Sequence, residues 1–416
     1  MRKLLLAAFT TVFLAGASLA LAAPVEITFM NWSTTEDVMK PVYNVIEDFE
    51  RENPDIKIKN MPIGVGEIRN QFMVMTMGGN PPDVVQLHVG DSVFMYNADA
   101  VIPAEDLYSK EFLDRCFPIF YDEGLYDGKH AGILWAPNTL TFFYNKKLLK
   151  QLGYDNPPET IEEMEAMMKK GKETIPDLIG FQLDTTVRTV GFTQMWPLMN
   201  AYEYGVIDGN TVKFNSDNMV QFAEWLRRIV KEGYTLPGKR FGEFRPMAAQ
   251  GRVLFAYDGA QHRGQMKAFK KDMTDEEYDA TWQAWTLPMG PSGKHLAAPD
   301  DHALVVSKHT KHPEAAAKFV EYLTGTKSAL TKYHDPAGFL PPVQDYESIA
   351  PGVFDDNGRQ GTLKYAVPNI VNLPFGPNYV KVATICMTGI QEIITTDKPV
   401  KGILDVYQKQ LEEVLK

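Results

Sequence analysis

Val25-Glu26-Ile27-Thr28-Phe29-Met30 opens the stretch that decides the fold. Val25, Ile27 and Phe29 alternate with Glu26 and Thr28, the period of a strand with one buried face. Val42, Val45, Ile46 and Phe49 follow at helical spacing, and Asn53-Pro54 stops that helix. Ile56 and Ile58 alternate with Lys57 and Lys59, which predicts a second strand. Ile68, Phe72 and Met75 share one face of a second helix, broken by Gly78-Gly79-Asn80-Pro81-Pro82. Val84-Val85-Gln86-Leu87 then reads as a third, buried strand. The β-α-β-α-β order predicts an α/β domain with parallel strands.

Upstream of this unit, Arg2 and Lys3 form a positive n-region, Leu4 to Leu14 is mostly apolar, and Ala20-Leu21-Ala22 supplies small residues. That pattern predicts a cleavable signal peptide at residues 1–22. Its apolar core is short for a span of about 20 residues. No cysteine lies beside the cleavage site to carry a lipid. The mature protein is therefore expected to be soluble, periplasmic and not lipid-anchored.

Downstream, Ile133 to Tyr144 is long, apolar and β-prone, with Pro137 in its middle. A central strand does not tolerate that proline, so this run bends or passes between domains. Thr160 with Glu163 forms a capping box. Phe222, Leu226 and Ile229 line a helix closed by Gly233. Pro313 starts another helix, which Gly325 ends. Leu404, Tyr407, Leu411 and Leu415 stripe the last one. No Gly/Ser linker separates domains, so they are expected to share several chain crossings.

The chain has 416 residues, a formal charge of −11, 44% hydrophobic residues and 2 cysteines. The apolar content argues against disorder, and two cysteines cannot make a disulfide scaffold. The acidic balance argues against nucleic-acid binding. No H-E-x-x-H occurs, and His309 and His312 lie in a Lys-rich stretch before Pro313 that reads as a solvated helix start. No G-x-S-x-G occurs. Gly290-Pro291-Ser292-Gly293-Lys294 has the wrong spacing for a phosphate loop, and His295 stands where Ser or Thr belongs. Asp300-Asp301 are adjacent carboxylates that need not face one site. No enzyme, metal or cofactor is implied.

Several segments together resemble one family. They are Phe49-Glu50-Arg51-Glu52-Asn53-Pro54-Asp55-Ile56-Lys57, Gly79-Asn80-Pro81-Pro82-Asp83-Val84-Val85 and Asp127-Gly128-Lys129-His130-Ala131-Gly132. Phe143-Tyr144-Asn145-Lys146-Lys147-Leu148-Leu149, Gln250-Gly251-Arg252-Val253-Leu254 and Gly338-Phe339-Leu340-Pro341 follow in order. The chain resembles the extracellular solute-binding proteins of ABC importers, in their carbohydrate-binding, maltose-binding-protein-like branch.

The resemblance implies a two-lobed periplasmic binding protein fold, type II-like, with a hinge and an interlobe ligand cleft. It implies an N-terminal lobe of 24–137 plus 288–330 and a C-terminal lobe of 138–287 plus 331–416. Cys116 and Cys386 then fall on opposite lobes, where two unpaired thiols suit hinge motion. The implied function is capture of a mono- or oligosaccharide and its delivery to the transmembrane subunits of a permease, by a monomer. A sugar phosphate or polyol phosphate is the alternative ligand, with Arg188, Arg245 and Arg263 as anchors. A secreted glycosidase is a remote alternative.

A sugar cleft needs carboxylates, amides and hydroxyls together with aromatic faces. Loops at strand C-termini are the expected place. Trp32, Thr34 and Glu36 follow the first strand, and His88 and Asp91 follow the third. Trp32 equally fits core packing, and Asp91 equally fits a helix N-cap. By resemblance, Asn138 in the first crossing, Thr193 with Trp196, and Phe375 with Tyr379 are further candidates. Asp258 and Gly259 lead into a segment that carries an aromatic in the family. Here it holds Gln261, His262 and Arg263. Pro299-Asp300-Asp301-His302 stands where the family commonly has a glycine pair, so Asp301 and His302 are expected to reach the ligand.

Overall fold

The computed structural model describes residues 23–34, 36–64 and 66–416, with no side-chain description at 36–38. The signal peptide expected at 1–22 lies outside these residues. Eleven strands build two separate sheets. The first contains β1 (Val25–Asn31), β2 (Ile56–Pro62), β3 (Val84–His88), β4 (Val101–Ile102), β5 (Ile133–Ala136) and β11 (His302–Ser307). The second contains β6 (Thr139–Asn145), β7 (Ile179–Gln182), β8 (Val253–Asp258), β9 (Trp282–Trp285) and β10 (Ala298–Pro299). Each is covered by helices, so the chain is a two-bodied α/β protein.

The opening strands pair as their pattern predicts. β1 lies parallel to β2, with Ile27 opposite Ile58, and parallel to β3, with Phe29 opposite Val84. The strand order is β2-β1-β3-β11-β4, and β11 runs antiparallel to β3. Alternation sends Ile27 and Phe29 to one face, against Val45, Phe49 and Phe319. It sends Met30 to the other, against Ile68 and Phe72. Phe29 meets Trp135 and Phe319 edge-on at 5.9 and 5.3 Å, contacts that add about 0.5–1.5 kcal/mol each to the burial term.

Pro137 does what its place in an apolar run predicts. The strand breaks there: β5 ends at Ala136 in the first sheet and β6 begins at Thr139 in the second. The chain returns between β10 and β11, through Asp300 and Asp301. The two crossings are tied together, because the Asn138 N–H donates to Asp301 Oδ1 (2.5 Å) and Asn138 Nδ2 donates to Asp300 Oδ2 (2.9 Å). Beyond the helix Pro313–Gly325, Tyr333 packs in the first core and Val343 bridges to Cys116. The C-terminal helices Tyr379–Thr395 and Val400–Val414 pack on the second sheet's core.

Local signals behave as read. Thr160 accepts from the Glu163 N–H, although the Glu163 carboxylate accepts from Glu159 and not from Thr160. The helix Asp217–Lys231 ends before Gly233, which takes a φ of 71°. Cys116 and Cys386 are both free and buried, and burial pushes both thiols up, Cys116 to about 12. Among the described residues, no helix is long and apolar enough to cross a membrane.

Candidate functional site

A cavity of about 480 Å³ lies between the two bodies. The first body contributes His88 at the end of β3, Gly90 and Asp91 from α1 (Val89–Asn97), and Glu123 and Tyr126. The second contributes Thr189 and Thr193 from α2 (Thr189–Asn200), with Phe375 and Tyr379. Asp300 and Asp301 enter from the crossing between the bodies. The cavity thus sits at strand ends, where loops and helix starts converge.

Polar groups on the second body are held in place. Thr193 Oγ1 and the Tyr379 hydroxyl lie 2.8 Å apart, and both bond to the Thr189 carbonyl, at 3.1 and 3.2 Å. Phe375 is fixed edge-on by Trp196 at 5.2 Å. On the first body, Asp91 is held by Arg69 at 2.9 Å. Trp32 packs on His88 and His302 with ring centroids 5.0 and 4.6 Å apart.

The crossing supplies acids in a low-dielectric setting. Burial pushes the Asp300 carboxyl up to about 6, although His88 opposes the rise. Burial also pushes Asp301 well above the usual range, and the neighbouring Glu123 raises it further. Burial takes Glu123 up to about 7, and the Asp301 side chain beside it opposes the rise. Burial thus disfavours a charge on either carboxyl unless a cation or a donor reaches it.

Of the residues singled out in the sequence, His88, Asp91, Thr193, Asp301, Phe375 and Tyr379 line this cavity together. Most of the others are placed elsewhere. Thr34 is exposed and the Glu36 side chain lies outside the described residues. Trp196 is buried and donates its Nε1–H to the Val371 carbonyl (3.1 Å). His302 is buried against Gln86. Asn138 spends every polar group on the crossings: besides the bonds above, its Oδ1 accepts from Ala260 and its Nδ2 donates to Gln261. A side chain on Gly259 would collide with Gln261 and Asn138.

Asp258 is fully buried and takes a bidentate pair from Arg245 at 2.7 and 2.9 Å. Burial opposes ionisation there, but Arg245 overcomes it and holds the carboxyl below its usual value. His262 stacks on Phe143 and meets the Tyr278 hydroxyl at 2.9 Å; burial drives it down to about 4, so it stays neutral. Arg263 faces a separate cavity and pairs with Asp275 and Asp356 at 3.0 and 3.6 Å. Neither Arg245 nor Arg263 offers a free guanidinium to an anionic ligand in the cleft. Sequence reading did not pick out Glu123, Tyr126 or Gly90. Glu123 lies in the short 3-10 turn Asp122–Gly124, which has no periodicity to mark it.

Residues 44–357 match the family described as bacterial extracellular solute-binding protein. The chain belongs to this family. The multiple sugar-binding protein of Streptococcus mutans is 22% identical to this solute-binding protein, over 75% of this chain and 74% of that one. The ABC transporter solute-binding protein of Thermotoga lettingae, solved with α-D-tagatose, superposes with a TM-score of 0.83 at 18% identity, covering 94% of this chain and 100% of that chain. Maltose-bound MalE3 of T. maritima gives a TM-score of 0.83 at 19% identity, again over 94% and 100%. At these identities the two structures establish the fold: two lobes with a cleft between them.

Proposed function

We propose that this solute-binding protein captures a small carbohydrate between its lobes and hands it to the transmembrane subunits of an ABC permease. The observation that carries this reading is the cavity of about 480 Å³ lined from both bodies by hydroxyls, carboxyls and aromatic rings. Its size lies within the range of about 300–1,000 Å³ usual for small-molecule sites. The sugars bound by the Thermotoga proteins and named for the Streptococcus relative support the same class. The phosphate alternative lacks its anchors at the cavity, because Arg245 and Arg263 are already paired and Arg188 is not among the cavity-lining residues.

In place of the expected 288–330 and 331–416, lobes of 24–137 with 300–355 and 138–299 with 356–416 suit the pairing of Ala298–Pro299 in the second sheet and the packing of Tyr333 in the first core. Only a closed cleft lets both lobes touch one ligand, so ligand shifts the equilibrium toward closure. Asp300 and Asp301 belong both to the cavity wall and to the hydrogen bonds that tie the crossings. A ligand bonded to them therefore acts directly on the hinge. On this reading the protein is exported and works as a monomeric binding protein, with no catalytic step of its own.

Native mass spectrometry of the protein purified under non-denaturing conditions tests this reading. A one-to-one adduct with a carbohydrate mass is expected. A copurifying phosphate ester, amino acid or peptide overturns it.

A further inference from the structure

Three carboxyls of the cleft wall have few groups to satisfy them. Glu123, Asp300 and Asp301 stand on the same cavity. Asp301 is only 3% exposed. Its Oδ1 accepts from Asn138, but its Oδ2 meets no donor, and Glu123 Oε2 is buried without a donor as well. Nearby cations are already committed: Arg69 to Asp91 and Arg245 to Asp258. Among the described residues lining the cavity, the remaining Lys or Arg is Lys416, exposed at its rim.

We infer that the ligand is a carbohydrate bearing a basic nitrogen, an amino sugar or aminated polyol bound as its ammonium form. This rests on the carbohydrate reading and deepens it. Hydroxyls can donate to the orphaned oxygens, yet they bring no charge to balance an ionised carboxylate there. An ammonium brings three donors and the missing charge in one group. It enters beside Glu123 and Asp301, where burial otherwise favours the protonated acids, so ammonium binding favours loss of a proton to solvent. His88 from the first lobe acts on Asp300, and Asp258 with Arg245 acts on it from the second. Asp91 on α1 is neutralised by Arg69. Tyr379 stays protonated, because burial raises its hydroxyl.

Calorimetry on protein freed of ligand by unfolding and refolding tests the proposal. The probes are glucosamine and 1-amino-1-deoxysorbitol, each beside its N-acetyl form and its neutral counterpart, glucose or sorbitol. At about pH 7 at least one amine is expected to bind about 30-fold or more tighter than its N-acetyl and neutral partners, and the preference shrinks at about pH 5 as the acids fill with protons. Glu123→Gln and Asp301→Asn should each remove most of that preference. Neutral sugars binding as tightly as amines at both pH values overturns the ammonium proposal and leaves the carbohydrate reading standing. Failure of every probe, with a non-carbohydrate found on the purified protein, overturns both.

Discussion

Gly90 and Tyr379 meet across the cleft with no room between them: a Cβ on Gly90 would lie 2.6 Å from Tyr379 Cδ1. Gly90 begins the helix after β3 in the first lobe, and Tyr379 belongs to the second lobe's core. Tyr126 and Gly376 make a second such contact, at 3.1 Å from the built Cβ to Cε2. These two seams join the lobes in this structure.

Gly90→Ala should therefore separate folding from closure. Alanine is the better helix former by about 1 kcal/mol, so the melting temperature should hold or rise. The added methyl collides with the Tyr379 ring, and ligand affinity should fall about 10- to 100-fold as closure is penalised. Calorimetry beside thermal melting reads both effects. Unchanged affinity would show that this seam does not form on binding.

The Thr193–Tyr379 hydroxyl pair is a smaller lever. Thr193→Val or Tyr379→Phe removes one hydroxyl of a buried pair and should cost about 0.5–1.5 kcal/mol of binding. A double-mutant cycle should show the two losses overlapping, since both hydroxyls share the Thr189 carbonyl.

Asp258 is expected to matter for stability. Asp258→Asn leaves Arg245 without its bidentate carboxylate in a site where Asp258 is fully buried. Breaking such a pair costs about 3–5 kcal/mol. Chemical denaturation should register that loss, and no direct loss of a ligand contact should accompany it.

The pH profile has two opposed limbs. His262 and His334 are held by burial at about 4, so the unfolded chain takes up protons that the folded one cannot. Their contribution is complete above about pH 6.5 and falls as pH drops toward 4. Asp300 works in the other direction: burial raises it to about 6, so its cost grows as pH rises through the range from 4 to 6. Asp300→Asn keeps an acceptor for Asn138 and should stabilise the ligand-free protein by about 1–2 kcal/mol at pH 8, with little change near pH 4. Melting curves at both pH values check the sign.

What the sequence disclosed follows from the range of the forces involved. The alternation of Val25, Ile27 and Phe29 and the helical spacing of Val42 to Phe49 are local, and both elements form where they predict. Pro137 marks the crossing because proline cannot sit in a central strand. Site residues were harder, because a polar side chain does not announce its partner. Asn138 reads as a ligand contact until Gln261, 123 residues away, and Asp300, 162 residues away, are seen on its amide. Arg263 reads as an anion anchor until Asp275 and Asp356 take it. Glu123 carries no local pattern and reaches the cleft through packing alone.

Small-angle scattering tests the central claim most directly. The ligand-free protein would be measured before and after saturation with the carbohydrate that copurifies with it. The account predicts that the radius of gyration falls on binding in the wild type and falls less in Gly90→Ala. An unchanged radius in the wild type at full, tight occupancy would contradict closure of the lobes on the ligand.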